Sequence, residues 1–237
     1  MDLSSHVVAF YRYPVKSLPG ERLEDPALLS GVGLAGDRRF AIAPDDFDPG
    51  TPPQWHPKRA FHVLREKEQL ARLTCLFNDE SETLSLTLGE ETVSGVVSAP
   101  EGCAAIESFI SNHPDLGLGP VKLIDYGSAS VKDAEEDQLS LCNLASVRAL
   151  SQSMGVDIDP VRFRSNVWLD GLEPFAEFDW VGSTIRLNGA HVRVLHPTVR
   201  CAAVNVNPTT AKRDINLVKG LSQHLGHVNM AVSCAVE

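Results

Sequence analysis

"STIRLNGAHVRVL", residues 183–195, decides how the chain is read. Asn188-Gly189 stands between two alternating apolar–polar runs, the strongest short-range signal for a β-hairpin. On its C-terminal side, "DINLVKGLSQHLG" (214–226) predicts a helix with Asp214 as N-cap and Gly226 as the stop. "VNMAVSCAV" (228–236) then alternates in a strand pattern. On the N-terminal side, "NLASVRALSQSM" (143–154) places Leu144, Val147, Leu150 and Met154 on one helical face, capped by Asn143.

Farther out, "HVVAFYRY" (6–13) and "DRRFAIA" (37–43) read as strands. The Pro- and Asp-rich 44–58 reads as a loop. Near-helical spacing of Val63, Leu70, Leu73 and Phe77 predicts an amphipathic helix over 63–77. "TLSLTLGEETVSGVVS" (83–98) is a second hairpin pattern, and 111–138 is polar and irregular. Strands outnumber helices without alternating regularly with them. That predicts a β-rich α+β fold rather than a doubly wound one.

Composition narrows the function. The 237 residues carry 21 Lys and Arg against 31 Asp and Glu, a net charge of −10, which argues against nucleic acid or an anionic membrane as partner. No run of 18 apolar residues occurs and the first residues lack signal-peptide character, so a cytoplasmic location is expected. Five widely spaced cysteines without a CxxC fit free thiols in a reducing compartment. Residues 31–36, "GVGLAG", match GxGxxG, but a strand pattern follows where a dinucleotide site needs a helix. His224, His227, His196 and Cys201 lack HExxH and paired-CxxC spacing, so zinc is not expected.

Cations and one thiol remain. Lys16, Arg38, Arg162, Arg164 and Arg200 each lie in a loop or at a strand end. In "RFRSN" (162–166), strand alternation would send Arg162 and Arg164 to one face, which asks for an anion. Ser146, in the first turn after the Asn143 cap, would offer unpaired N–H groups to the same anion. In "RCAAVNVNP" (200–208), read as strand, thiol, strand and turn, Cys201 is either a packed small hydrophobe or a presented thiol.

"YPVKSL", "GDRRFAI", "LCNLASVRAL", "DPVRFRSNVWLDG", "FAEFDWVG" and "RCAAVNVNP" occur in an order that resembles the MOSC-domain proteins. Among these it is similar to those with an N-terminal β-barrel extension, the group that includes the molybdenum-cofactor amidoxime-reducing proteins. The resemblance implies a MOSC-type β-barrel core with short helices over 130–237 and an N-terminal β domain over 1–129. It implies a molybdenum cofactor, a pterin phosphate carrying the metal. Cys201 would ligate molybdenum, with Arg200 beside it favouring the thiolate. Lys16, Ser17 and Arg38 would hold the phosphate and pterin tail, and Ser146, Arg164 and Asn166 would complete the pocket. The implied function is an oxidoreductase acting on N- or S-oxygenated small molecules, with a separate electron-donor protein. The alternative is a persulfide carrier or cofactor-maturation protein using Cys201 with a sulfur donor. Asn207 stands where the family has a carboxylate, and the Pro-rich loop 44–60 is long enough to alter access to the pocket.

Overall fold

A computed structural model describes residues 1–134, 136 and 138–237. Among them are three α-helices and 14 strands, a β-rich α+β fold. The first half contributes β1 (Val7–Arg12), β2 (Glu21–Leu23), β3 (Leu28–Leu29), β4 (Gly33–Leu34) and β5 (Phe40–Pro44). It continues with β6 (Thr74–Asn78), β7 (Thr83–Leu88), β8 (Glu91–Val96), α1 (Pro100–Asn112) and β9 (Val121–Asp125). The second half contributes β10 (Leu139–Asn143), α2 (Leu144–Met154), β11 (Val167–Leu169) and β12 (Thr184–Leu187). It ends with β13 (Ala190–Val199), α3 (Leu217–Leu225) and β14 (Asn229–Val236).

A seven-stranded sheet runs in the order β12-β13-β14-β10-β11-β1-β2. Its end is the hairpin read from Asn188-Gly189, with Thr184 opposite Arg193 and Leu187 opposite Ala190. Asn188 (φ 47°) and Gly189 (φ 81°) supply the two left-handed residues that such a turn requires. β10 and β11 pair in parallel, and β1 joins β11 antiparallel, so the N-terminal strand completes the C-terminal sheet. Leu141, Val167, Leu169, Val194 and Val232 bury one apolar cluster on this sheet. Cys142, Val147, Leu150, Trp168 and Leu221 form another, which includes residues of α2 and α3. Two smaller sheets, β5-β9 and β6-β7-β8, pack with α1 around Phe40, Phe77, Leu84 and Ile106.

The segment 63–77 is not an α-helix. A short 3-10 helix, Glu68–Arg72, leads into β6, where burial alternates with Cys75 and Phe77 inward. The period of two in "TCLF" outcompetes the looser near-helical spacing, because β7 offers a pairing edge. Helix α1 was not read from the sequence; Pro100 in its first turn marks its start. Within the irregular 111–138, β9 pairs with β5 along its whole length. Asp214 does not cap α3; Asn216 does, accepting from the Lys219 amide over 3.1 Å. Gly226 ends that helix in the left-handed conformation, as read. At 31–36 two turns flank the short β4 and no helix opens. A Cβ on Gly33 would collide with the main chain of Gln138, so that glycine serves close packing.

Candidate functional site

The hinge of the site is Asp37, fully enclosed between the N-terminal strands and the second half of the chain. Its carboxylate accepts from the Tyr13 amide (2.9 Å) and from Arg38 (2.7 Å to each oxygen), and pairs with Lys132 (3.0 Å). Burial alone would raise its pKa, but Arg38 and Lys132 outweigh burial and hold it below the usual range. Arg38 in turn donates from Nη2 to the Arg164 carbonyl over 2.9 Å. The guanidiniums of Arg38 and Arg164 lie over the Tyr13 ring, 4.3 and 4.5 Å from its centroid. Ser17 (φ 72°), Arg38 (φ 51°) and Arg164 (φ 53°) are all left-handed, a backbone cost that concentrates where side chains must be aimed.

These residues line a cavity of about 380 Å³. Among the described residues its wall holds Lys16, Arg38, Lys58, Arg65, Lys132, Arg162, Arg164 and Arg200, against the single carboxylate of Asp133. All five cations singled out in the sequence are therefore brought together, in a protein of net charge −10. Lys58, Arg65 and Lys132 were not singled out. They come from the Pro-rich loop, the turn after it and the segment before β10, and nothing local marks them.

Several of the cations are spoken for. Arg162 pairs with Asp214 (2.7 and 2.9 Å) and donates to the Asn205 carbonyl (3.2 Å). It does not share a strand face with Arg164: 160–163 is a 3-10 turn, begun by Pro160 and capped by Asp159. Lys16 donates to the Val131 carbonyl and to Asp133, both at 2.8 Å, and Lys58 reaches the other Asp133 oxygen at 3.0 Å. Burial pulls the Lys16 ammonium below its ordinary value despite Asp133. For Lys58 burial acts the same way, but Asp133 and the nearby Cys201 outweigh it and raise the ammonium.

Arg164 and Arg200 differ. Neither makes an ion pair with a carboxylate among the described residues, and burial pulls each guanidinium down to about 10. Arg200 is held by main-chain carbonyls, Met230 through Nε (2.7 Å) and Phe163 through Nη1 (3.0 Å). Its Nη2 and the Thr198 hydroxyl, both in residues of the cavity wall, are buried without a hydrogen-bond partner among the described residues. Unpaired donors beside unpaired positive charge form a donor set suited to an anion.

Cys201 follows the long strand β13 and is half-buried in the same wall. The residues after it form a 3-10 turn, Ala202–Asn205, rather than the second strand read from "VNVNP". Arg213 fixes this turn, donating to the Ala202 carbonyl (3.0 Å) and the Arg65 carbonyl (2.8 Å) while pairing with Glu68 (2.6 Å). Asn207 donates to Asp214 over 2.6 Å, so its neutral amide serves the carboxylate that holds Arg162. Val199, 70% exposed, forms an apolar lip beside the thiol.

Two expected positions behave otherwise. Asn166 lines the cavity, but its Oδ1 accepts from the Ser140 amide (3.1 Å) and hydroxyl (3.0 Å), and its Nδ2 donates to Tyr11 (3.1 Å). It ties strands together more than it offers itself to a ligand. Ser146 is outside the cavity wall. Its fully buried hydroxyl donates to both Glu177 oxygens (2.9 Å) and accepts from the Phe175 amide (2.7 Å). The first turn of α2 is thus closed by a buried carboxylate, which the sequence reading did not include.

Fold and site together define a class: a β-rich α+β protein with a thiol in the wall of a cationic, anion-receptive cavity. Residues 128–235 match the family model of the MOSC domain. It is similar to the molybdenum cofactor sulfurase of Caenorhabditis briggsae, 26% identical over 228 residues covering 92% of this chain and 31% of that protein. It is likewise similar to that of Caenorhabditis elegans, 26% identical over 243 aligned positions covering 94% and 32%. For that of Drosophila erecta the values are 24% over 234, covering 89% and 29%. The chain spans about a third of the length of these curated relatives.

Proposed function

We propose that the cavity binds the molybdenum cofactor, its phosphate received by Arg164 and Arg200 and its metal by the Cys201 thiolate. The observation that carries this is the pairing of buried, partnerless donors on Arg200 and Thr198 with an accessible thiol in one cavity. The donor set fits the group: guanidiniums suit a phosphate, and a soft thiolate suits the metal. The MOSC domain and the relatives named for this cofactor add independent support. Arg38, stacked on Tyr13, would hold the wall against which the pterin tail lies, with Ser17 at its edge. Lys16 and Lys58 would act through Asp133.

When bound, the cofactor supplies the redox-active metal. The chain's own residues position it, limit water around it and leave the Val199 lip open to a small substrate. The net reaction we propose is reduction of an N- or S-oxygenated small molecule. Two electrons and two protons enter, the oxygen leaves as water, and a separate donor protein provides the electrons, in the cytoplasm. The test uses protein produced in cells competent for cofactor synthesis. With reduced viologen as donor, an N-hydroxylated compound is expected to be converted to the amine, and Cys201→Ser to lose that activity while staying folded. Inactive protein that instead gains the mass of one sulfur at Cys201 from a cysteine desulfurase would overturn the reading and install a sulfur carrier.

A further inference from the structure

Of the cations in the cavity wall, two lysines and two arginines differ in how they are paired. Lys16 and Lys58 close on the two oxygens of Asp133, at 2.8 and 3.0 Å. Among the described residues Arg164 and Arg200 meet no carboxylate, and one buried guanidinium nitrogen of Arg200 has no hydrogen-bond partner. Among the described lining residues the cavity therefore has one carboxylate, and it serves the lysines rather than the arginines.

Asp133 is placed for this from both sides. The Lys16 ammonium holds the Val131 carbonyl, the Trp55 indole donates to the Lys132 carbonyl over 3.1 Å, and Lys132 pairs with the buried Asp37. These contacts do not involve the Asp133 side chain, which remains 55% exposed and pairs with the two lysines. Its proton is held well below the usual carboxylate range: burial opposes this, but the two lysines win.

We propose that Asp133 is a specificity-determining residue, a resident carboxylate that makes this cavity select a ligand with one phosphoryl group over one with two linked phosphoryl groups. The proposal rests on the anion-binding reading above. A single phosphoryl group is served by the open arginines. A second would have to displace Asp133 from the lysines or lie beside it, where like charges repel. With Asp133 neutral, the lysines become a second anion subsite.

The test is calorimetric titration of the wild-type protein, Asp133→Asn and Glu136→Gln with inorganic phosphate and with pyrophosphate. Glu136 is exposed, and its substitution changes net charge by the same amount without touching the lysines. Asp133→Asn is expected to tighten pyrophosphate about tenfold and phosphate less than about threefold, one new charge-assisted contact set against a field effect. Glu136→Gln is expected to keep the wild-type ratio, as is Asp133→Glu, which also reports on folding. An unchanged pyrophosphate-to-phosphate ratio in Asp133→Asn, with phosphate still bound, overturns the role of Asp133 and leaves the anion cavity standing. Binding of neither anion by wild type and variants overturns both.

Discussion

Arg38 donates from Nη2 to the main-chain carbonyl of Arg164 over 2.9 Å, across 126 residues of sequence. That bond joins the N-terminal strands to the stretch that matches the MOSC family model at the cavity wall. It leaves the Arg164 side chain over Tyr13, without a carboxylate partner among the described residues. Arg164→Ala is expected to lower cofactor retention by roughly tenfold or more, since a hydrogen bond to a charged group contributes about 1.5–3 kcal/mol. Arg22, away from the cavity wall, donates to the Val8 carbonyl at 3.4 Å, and Arg22→Ala is expected to retain the cofactor fully. Pterin content per folded protein checks the pair, and equal losses would remove Arg164 from the site.

Cys201 is expected to be alkylated first of the five thiols in cofactor-free protein. Cys75, Cys142 and Cys234 are buried, and burial pushes the Cys75 thiol up to about 12. Cys103 is half-buried, but it donates to the Val97 carbonyl, and burial and Glu107 raise its thiol. Cys201 is half-buried in the cavity wall, where a reagent entering the cavity can reach it. Limited alkylation with peptide mapping decides this; labelling of Cys201 after Cys103 would contradict it.

Glu177 ties acid–base chemistry to stability. It is fully buried against Ser146, and burial raises its pKa above the ordinary range. A raised folded-state pKa stabilises the protonated form. The contribution is therefore complete below the ordinary glutamate value and lost as pH rises through the folded-state value. Glu177→Gln is expected to gain on wild type in melting temperature from about pH 4 to about pH 7. A difference that stays constant or falls over that range would contradict the account.

Much of this was legible in the sequence because it was local. Asn188-Gly189, the Asn143 cap and the alternation in 228–236 each carry their structure in a few residues. The five cations were legible because each sits beside turn chemistry. What was not legible depends on contacts distant in sequence. Asp37 gains its role only when Tyr13, Arg38 and Lys132 meet on it. Asp133 looks like part of an acidic run until Lys16 and Lys58 close on it. Ser146 was assigned to an anion because a helix start attracts one, but Glu177, 31 positions away, already supplies it. In "RFRSN" alternation failed because Pro160 begins a tight turn that ends with Arg164 in the left-handed region.

The central claim is that Cys201 is the protein's ligand to molybdenum in this cavity. Molybdenum K-edge X-ray absorption on wild type and Cys201→Ser, both from cofactor-competent cells, tests it most directly. The account predicts bound molybdenum in wild type, and in the variant the loss of the protein-derived sulfur from the metal's neighbours with pterin retained through Arg164 and Arg200. An identical sulfur shell in the two proteins, or wild type without molybdenum, would contradict it.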